Sequence, residues 1–207
     1  MKINEITTSS TQRIIDTLEQ ECGPYLQEIG GLENALIKYP LYRGGDNVFT
    51  SNSPIVKIPV RQDRQPRSTS IEDHELADKW FKEHSSFGIP YRSAALFCTG
   101  SQVIATAYTR YYPEGTGISM IVLPVGEYHY CWSPEVQDMF SEIHVLSFST
   151  DEPVVISNFL DKSGYEEDTR LTRAIASKHE IMLHCKEAIL IQRTFVDDFR
   201  AHRLEQK

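Results

Sequence analysis

The residue types most able to do chemistry stand together late in the chain, in Ser177–Lys178–His179–Glu180–Ile181–Met182–Leu183–His184. A glutamate between two histidines raises three readings: a damaged zinc site, a strand carrying one catalytic glutamate, or an ordinary core strand. The helical zinc-protease pattern places its histidines four apart on one helix face, with the glutamate beside the metal. His179 and His184 are five apart, which on a helix turns them about 140° from each other. They cannot grip one ion together, and the run that follows, Cys185 to Arg193, has the composition of a strand. Read as a strand, the segment puts Ile181, Leu183 and Cys185 on one face and Glu180, Met182 and His184 on the other. Glu180 then heads an otherwise apolar strand, either exposed at its end or held there for a purpose. The four cysteines, Cys22, Cys98, Cys131 and Cys185, form no CxxC pair and no zinc spacing. They read as small buried hydrophobes in a reducing compartment, with a Cys98/His catalytic pair as the alternative.

The elements that must position these residues follow from periodicity and caps. Ser9–Gln12 has the form of a capping box, opening a helix with Ile14, Ile15, Leu18, Cys22, Leu26 and Ile29 inward and Gly30–Gly31 as its stop. A second helix over Leu32–Lys38 ends before Pro40. Leu41–Tyr42–Arg43–Gly44–Gly45 reads as a short strand ending in an arginine and two glycines. Residues 46–69 read as loop. Ser70 caps a helix with Leu76, Ala77, Trp80 and Phe81 on its apolar stripe. Tyr91–Cys98 reads as a strand, Ser101–Tyr108 as a short helix, Thr116–Val125 and Tyr128–Trp132 as strands, and Pro134–Phe140 as a helix. Asp168–Ser177 is expected to be helical, Glu180–Arg193 to form two strands or one bent strand around Lys186–Glu187, and the C-terminal run a helix. Helices come first and strands follow without βαβ alternation, which indicates an α+β fold. The expected organisation is one domain, with a helical N-terminal extension over 1–39, a core over 40–193 and a terminal helix over 194–207.

Composition bounds the partners. The chain has 207 residues, 40% hydrophobic and 24% charged, enough to bury a core without staples. No run is long and apolar enough to span a membrane, and Met1–Ser10 lacks the apolar segment of a secretory signal, so a cytosolic, cytoplasmic protein is expected. A net charge of -8 argues against a phosphate-gripping basic face. The one basic stretch, Arg61–Arg67, reads as a solvated loop or a contact loop for a polyanion or protein.

Three separated elements, in order, resemble the ADP-ribosyltransferase superfamily in its toxin-like Arg–Ser/Thr–Glu branch. Leu41–Gly45 is similar to the strand whose arginine holds the NAD phosphates; that implies the role for Arg43, with Gly44 letting the dinucleotide approach the backbone. Ser93–Tyr108 is similar to the aromatic–Ser/Thr–x–Ser strand end and following helix that wall the nicotinamide pocket. It implies Phe97, Thr99 and Ser101 at the strand end and Tyr108 stacking on the ring, with Tyr111 in reserve. The match departs from a Ser–Thr–Ser triplet, since the chain has Cys98–Thr99–Gly100–Ser101. A literal triplet, Ser68–Thr69–Ser70, is set aside because it leads into a capped helix. Leu171–Ile191 resembles the catalytic-glutamate segment, which implies that Glu180 binds the ribose 2′-hydroxyl and supports oxocarbenium character as the glycosidic bond of NAD breaks.

The resemblance implies a split mixed β-sheet with flanking helices, NAD as substrate and no metal. It also implies a macromolecular acceptor, a protein rather than a nucleic acid, and no membrane partner. It fits a small toxin-like, phage or host-interaction enzyme. Lys178 stands two before Glu180, where members that modify arginine carry Glu or Gln, so the acceptor stays open. Glu127 and Glu135 are rival acids, and Trp132 is either a core residue or a target contact. The second reading is a non-catalytic inhibitor or interaction protein on the same fold; a weaker third is an RNA 2′-phosphotransferase.

Overall fold

Strand β6 (Glu180–Ile191) is the spine of the molecule. The protein's structure is a computed structural model describing residues 3–49, 53–66, 70–113, 116–139, 141–143 and 154–205. In it β6 is paired along both edges. One edge meets β2 (Ile55–Pro59) at Glu187–Ile191 and β3 (Leu96–Thr99) at Glu180–Leu183. The other edge follows β4 (Gly117–Trp132). β1 (Tyr42–Asp46) pairs with β4 and reaches β3 through Tyr42 opposite Thr99. β5 (Glu166–Glu167) is a short edge beside Cys131 and Trp132. The result is a six-stranded sheet of order β2-β6-β3-β1-β4-β5, with β4 also against β6.

Every pairing among the described residues is antiparallel, where the family resemblance implies a mixed sheet. The connections bring each strand back beside a neighbour of opposite sense. The α+β class stands. β6 is one strand, not two. β4 is also continuous where two strands were expected: Gly126 and Glu127 face Lys186 alone, between the pairs Val125–Glu187 and Tyr128–Cys185. That extra residue is a bulge, made possible by Gly126 at φ 66. It lets the chain pass Pro124 without leaving the ladder.

Alternation along β6 feeds two cores. Ile181, Leu183 and Cys185 join the first, with Leu123 and Tyr130 of β4. Met182 joins the second, with Cys131. Over the first face lie α1 (Ile3–Glu21), α2 (Gly23–Ile29), α7 (Leu171–Ser177) and α8 (Arg193–Glu205), contributing Leu18, Tyr25, Leu26, Ala174, Phe195 and Phe199. The N-terminal extension therefore covers the sheet. Over the second face lie α3 (Ile71–His84), the single turn α4 (Tyr91–Ala94) and α6 (Val154–Lys162), through Ala77, Phe81, Tyr91 and Leu160. α5 (Gln102–Tyr108) packs beside β1. A polar tie fastens α2 to β4: the Glu28 carboxylate accepts hydrogen bonds from the Tyr130 hydroxyl at 2.8 Å and from the Tyr128 hydroxyl.

Several expected boundaries shift for identifiable reasons. α1 starts before Ser9, since no glycine or proline interrupts Ile3–Thr8. Pro24 lacks an N–H and clashes with the preceding turn, so it ends α1 and opens α2. Gly30 at φ 85 caps α2 as expected. Residues 32–38 yield a π-turn over Asn34–Lys38. Tyr91–Ala94 is helical, and only Leu96–Thr99 is strand. Residues 134–138 bend rather than coil into a helix, and Phe140 lies outside the described residues. Ser70 caps α3, its Oγ accepting from the Asp73 N–H at 3.0 Å; Ser68 and Thr69 lie outside the described residues. No described helix is long and apolar enough to cross a membrane.

Burial predicts the cost of truncation. Leu183 is fully buried in the first core, whereas Leu204 is 73% exposed. Leu183→Ala should lower the unfolding free energy by about 2–5 kcal/mol and Leu204→Ala by no more than about 0.5 kcal/mol, both read from denaturant melts.

Candidate functional site

The expected site residues meet at one end of the sheet. A shallow cleft that encloses about 20 Å³ is lined by Arg43 and Gly44 of β1, Phe97 and Thr99 of β3, Tyr108 of α5, and Glu180 of β6, together with Tyr42, Cys98, Ile104, Ala105 and Gln137. Strand register produces this convergence: Tyr42 lies opposite Thr99, and Thr99 opposite Glu180. Arg43 donates from Nη1 to the Phe97 carbonyl at 3.3 Å, tying β1 to β3.

Several residues do a different job from the one the sequence suggested. Ser101 does not line the cleft; its Oγ caps α5 by accepting from the Ile104 N–H at 3.4 Å. The close approach at Gly44 is made by α5, since a Cβ there would meet the Ala105 carbonyl oxygen at 2.2 Å. Thr99 is 3% exposed. Its hydroxyl donates to the Lys178 carbonyl at 2.7 Å and accepts from the Ser101 N–H at 3.2 Å. It thus fastens the end of β3 to the bend that precedes Glu180. That bend is Lys178 itself, the exposed C-cap of α7, at φ 65. Gly100 completes the junction: a Cβ there would fall 1.7 Å from the Ile175 carbonyl oxygen. The side chain of Tyr111 lies outside the described residues.

Glu180 is not at an exposed strand end. Its side chain is 12% exposed, and its backbone N–H donates to the Gln137 carbonyl at 2.9 Å. Burial pushes its carboxyl up to about 7; Arg92 pulls it down, Asp138 pushes it further up, and Arg64 and the Met139 N–H oppose the rise. The nearest cation is Arg92, whose Nη1 is 4.0 Å from Glu180 Oε1, an ion contact rather than a hydrogen bond. Arg92 and Arg64 both lie against the Phe97 ring, their guanidinium carbons 4.7 Å and 4.3 Å from its centroid. Arg92 is 8% exposed, and its Nε has no hydrogen-bond partner.

Arg92, Arg64, Gln137 and Asp138 were not anticipated. Arg64 belongs to the basic stretch 61–67, read as a loop on the surface, yet it turns inward onto Phe97. Arg92 was hidden in a segment read as strand, where alternation could not show which way it points.

The rivals fall away. His179 and His184 each place Nδ1 beside a different backbone carbonyl, Ser133 at 3.0 Å and Ala94 at 2.9 Å. Carbonyls only accept, so both nitrogens carry hydrogen. No group of three His, Cys, Asp or Glu side chains among the described residues could hold a metal ion. All four cysteines are buried; burial pushes Cys22, Cys98 and Cys185 up to about 12, leaving no thiolate nucleophile near neutrality. Glu127 and Glu135 are exposed and outside the cleft. Trp132 is a core residue, fully buried. No protein-family model, curated protein or solved structure matches the chain.

The cleft therefore offers a carboxyl that burial raises to about 7, the Arg43 guanidinium and aromatic walls, and Arg92 and Arg64 act on the carboxyl from outside its lining. Replacing Arg92 by Gln should raise the Glu180 midpoint above about 7, because it removes the main stabiliser of the carboxylate; carbon-13 NMR of the glutamate carboxyls reads the shift. Gly100→Ala should cost about 2 kcal/mol or more, since the obstructing atom is backbone and cannot swing aside; thermal unfolding measures it.

Proposed function

We propose that the protein is an NAD-dependent mono-ADP-ribosyltransferase. The observation that carries this reading is the meeting of Arg43, Gly44, Phe97, Thr99, Tyr108 and Glu180 in a single cleft. These residues are scattered over more than half the sequence, and the resemblance to the ADP-ribosyltransferase superfamily assigns them all to one chemistry. The room enclosed in the cleft, about 20 Å³, is little more than one water molecule needs and far below the roughly 300–1,000 Å³ of common ligand pockets. In this reading the nicotinamide–ribose half of the substrate enters once the cleft walls part, and the rest of the dinucleotide lies outside.

In this reading Tyr108 stacks on the nicotinamide ring, and Arg43 meets a phosphate through its planar fork. Ionised Glu180 accepts a hydrogen bond from the ribose 2′-hydroxyl. As the bond between ribose C1′ and the nicotinamide nitrogen breaks, positive charge grows on the ribose and that contact strengthens. Nicotinamide leaves with the bonding pair, the acceptor attacks C1′, and Glu180, with a carboxyl near neutrality, takes the acceptor's proton. The acceptor is proposed to be a protein, with exposed Lys178 at the junction it would approach.

One observation favours a second reading. Arg92 already faces the Glu180 carboxylate at 4.0 Å, which suits a binding protein whose glutamate is held for structure. Partner binding that survives both Arg43→Ala and Glu180→Ala would favour it.

The enzyme reading is tested by incubating the protein with NAD labelled in the adenylate half, together with a cell lysate, and measuring nicotinamide release and transferred label. Glu180→Gln should reduce release by about 100-fold or more. The ionised carboxylate is the active form, and its carboxyl is pushed up to about 7. Release should therefore rise as pH passes through about 7 and level off above it. Equal, background-level release by the parent and Glu180→Gln across that range overturns the reading.

A further inference from the structure

Phe97 carries more than a place in the cleft wall requires. Its ring is partly buried against the second core. Two cations rest on it, with the guanidinium carbons of Arg64 and Arg92 at 4.3 Å and 4.7 Å from the centroid. They arrive from different elements. Arg92 stands on α4; Arg64 belongs to the segment after β2, and its N–H donates to the Ser93 carbonyl of α4 at 3.0 Å. Two like charges gathered on one ring repel each other. The negative face of the ring attracts both, and more strongly where water is scarce, as around Arg92, which is 8% exposed.

The polar contacts of Arg92 are loose by comparison. Its Nε has no hydrogen-bond partner, and its Nη1 stands 4.0 Å from Glu180 Oε1, too far for a hydrogen bond. Arg92 therefore acts on the carboxylate through its charge, and its position has to be set by something other than that contact. The groups that act on Glu180 are Arg92 of α4, Arg64 beside it, and Asp138 and the Met139 N–H of the segment after β4. The Tyr165 phenol and the Cys131 thiol also sense its charge, and both are held neutral chiefly by burial. Two of these groups are cations, and both sit on one ring.

We propose that Phe97 is a positioning residue: its ring holds Arg64 and Arg92 facing Glu180, and it serves the reaction through those two cations. That role differs from the wall of a nicotinamide pocket that the family resemblance implies for it. Without the ring the guanidiniums move apart and turn toward water, and the buried carboxyl keeps Asp138 as its neighbour while losing both cations. The link to catalysis rests on the transferase reading; the positioning does not.

The test is a carbon-13 NMR titration of Glu180, without NAD, in the parent, Phe97→Leu and Phe97→Tyr. Phe97→Leu should raise the midpoint above about 7. Phe97→Tyr, which keeps an aromatic face, should leave it at the parent value. Looser packing alone admits water and moves the midpoint the other way. In an Arg92→Gln background Phe97→Leu should shift it less than in the parent, because the two changes act through one contact. An unchanged or lowered midpoint in Phe97→Leu overturns the proposal, and so does a rise that is equally large in the Arg92→Gln background. Should Phe97→Leu fail to fold, the parent still decides: the δ-methylene protons of Arg64 and Arg92 should show upfield ring-current shifts, and their absence overturns the proposal. The pH at which nicotinamide release rises should move up with the NMR midpoint; a release profile that stays in place overturns the catalytic link. A midpoint that moves while neither parent nor variant releases nicotinamide supports the positioning and overturns the transferase reading.

Discussion

Position 100 has no room for a side chain, and the candidate site depends on that constraint. The end of β3 and the end of α7 approach until the Ile175 carbonyl fills the space a Cβ would take. Only at that separation can the Thr99 hydroxyl reach the Lys178 carbonyl. That bond holds the left-handed bend, and the bend aims the chain into β6 with Glu180 as its first residue. From there register does the rest, setting Glu180 beside Thr99 and Thr99 beside Tyr42. The residues that most resemble a binding motif at the strand end, Thr99 and Ser101, thus serve mainly to fasten the backbone around a carboxyl.

The electrostatics follow from that placement. A carboxyl drawn out of water resists ionisation, and Arg92 and Arg64 only partly offset the loss of hydration. The two arginines are themselves steadied by the face of Phe97, where a planar cation gains from the ring's negative face. Glu180 is left poised between its two protonation states. Arg43, which lines the cleft, is held through the Phe97 backbone carbonyl, so Phe97 positions all three guanidiniums, one by its backbone and two by its ring.

How much of this could be read from the sequence depended on whether local pattern or distant packing placed a residue. Glu180 was legible because an apolar run with a helix before it leaves few choices for the residue at its head. Ser70 was legible because capping is local. The strand β2 was not: Pro54 and Pro59 flank Ile55–Ile58, and prolines that read as loop are tolerated here because β2 pairs only with β6, on the sheet's edge. Arg92 sits on one helical turn, too short for a period to reveal it. Arg64 reads as a solvated charge in any linear view, and only the fold turns it toward an aromatic ring. The long β4 was read as two strands because a bulge with glycine looks, in sequence, like a stop.

The central place of β6 has a kinetic consequence. It follows β1, β2, β3 and β4 in the chain, yet β2 and β3 depend on it for most of their ladder, and β4 for most of its length. Contacts that span so much sequence close slowly, because the loop entropy is lost before the pairing is gained. A growing chain that has not yet added Glu180–Ile191 exposes unpaired strand edges and has no cleft. The same strand therefore times both events: the sheet becomes closed, and its carboxyl arrives, only when β6 docks.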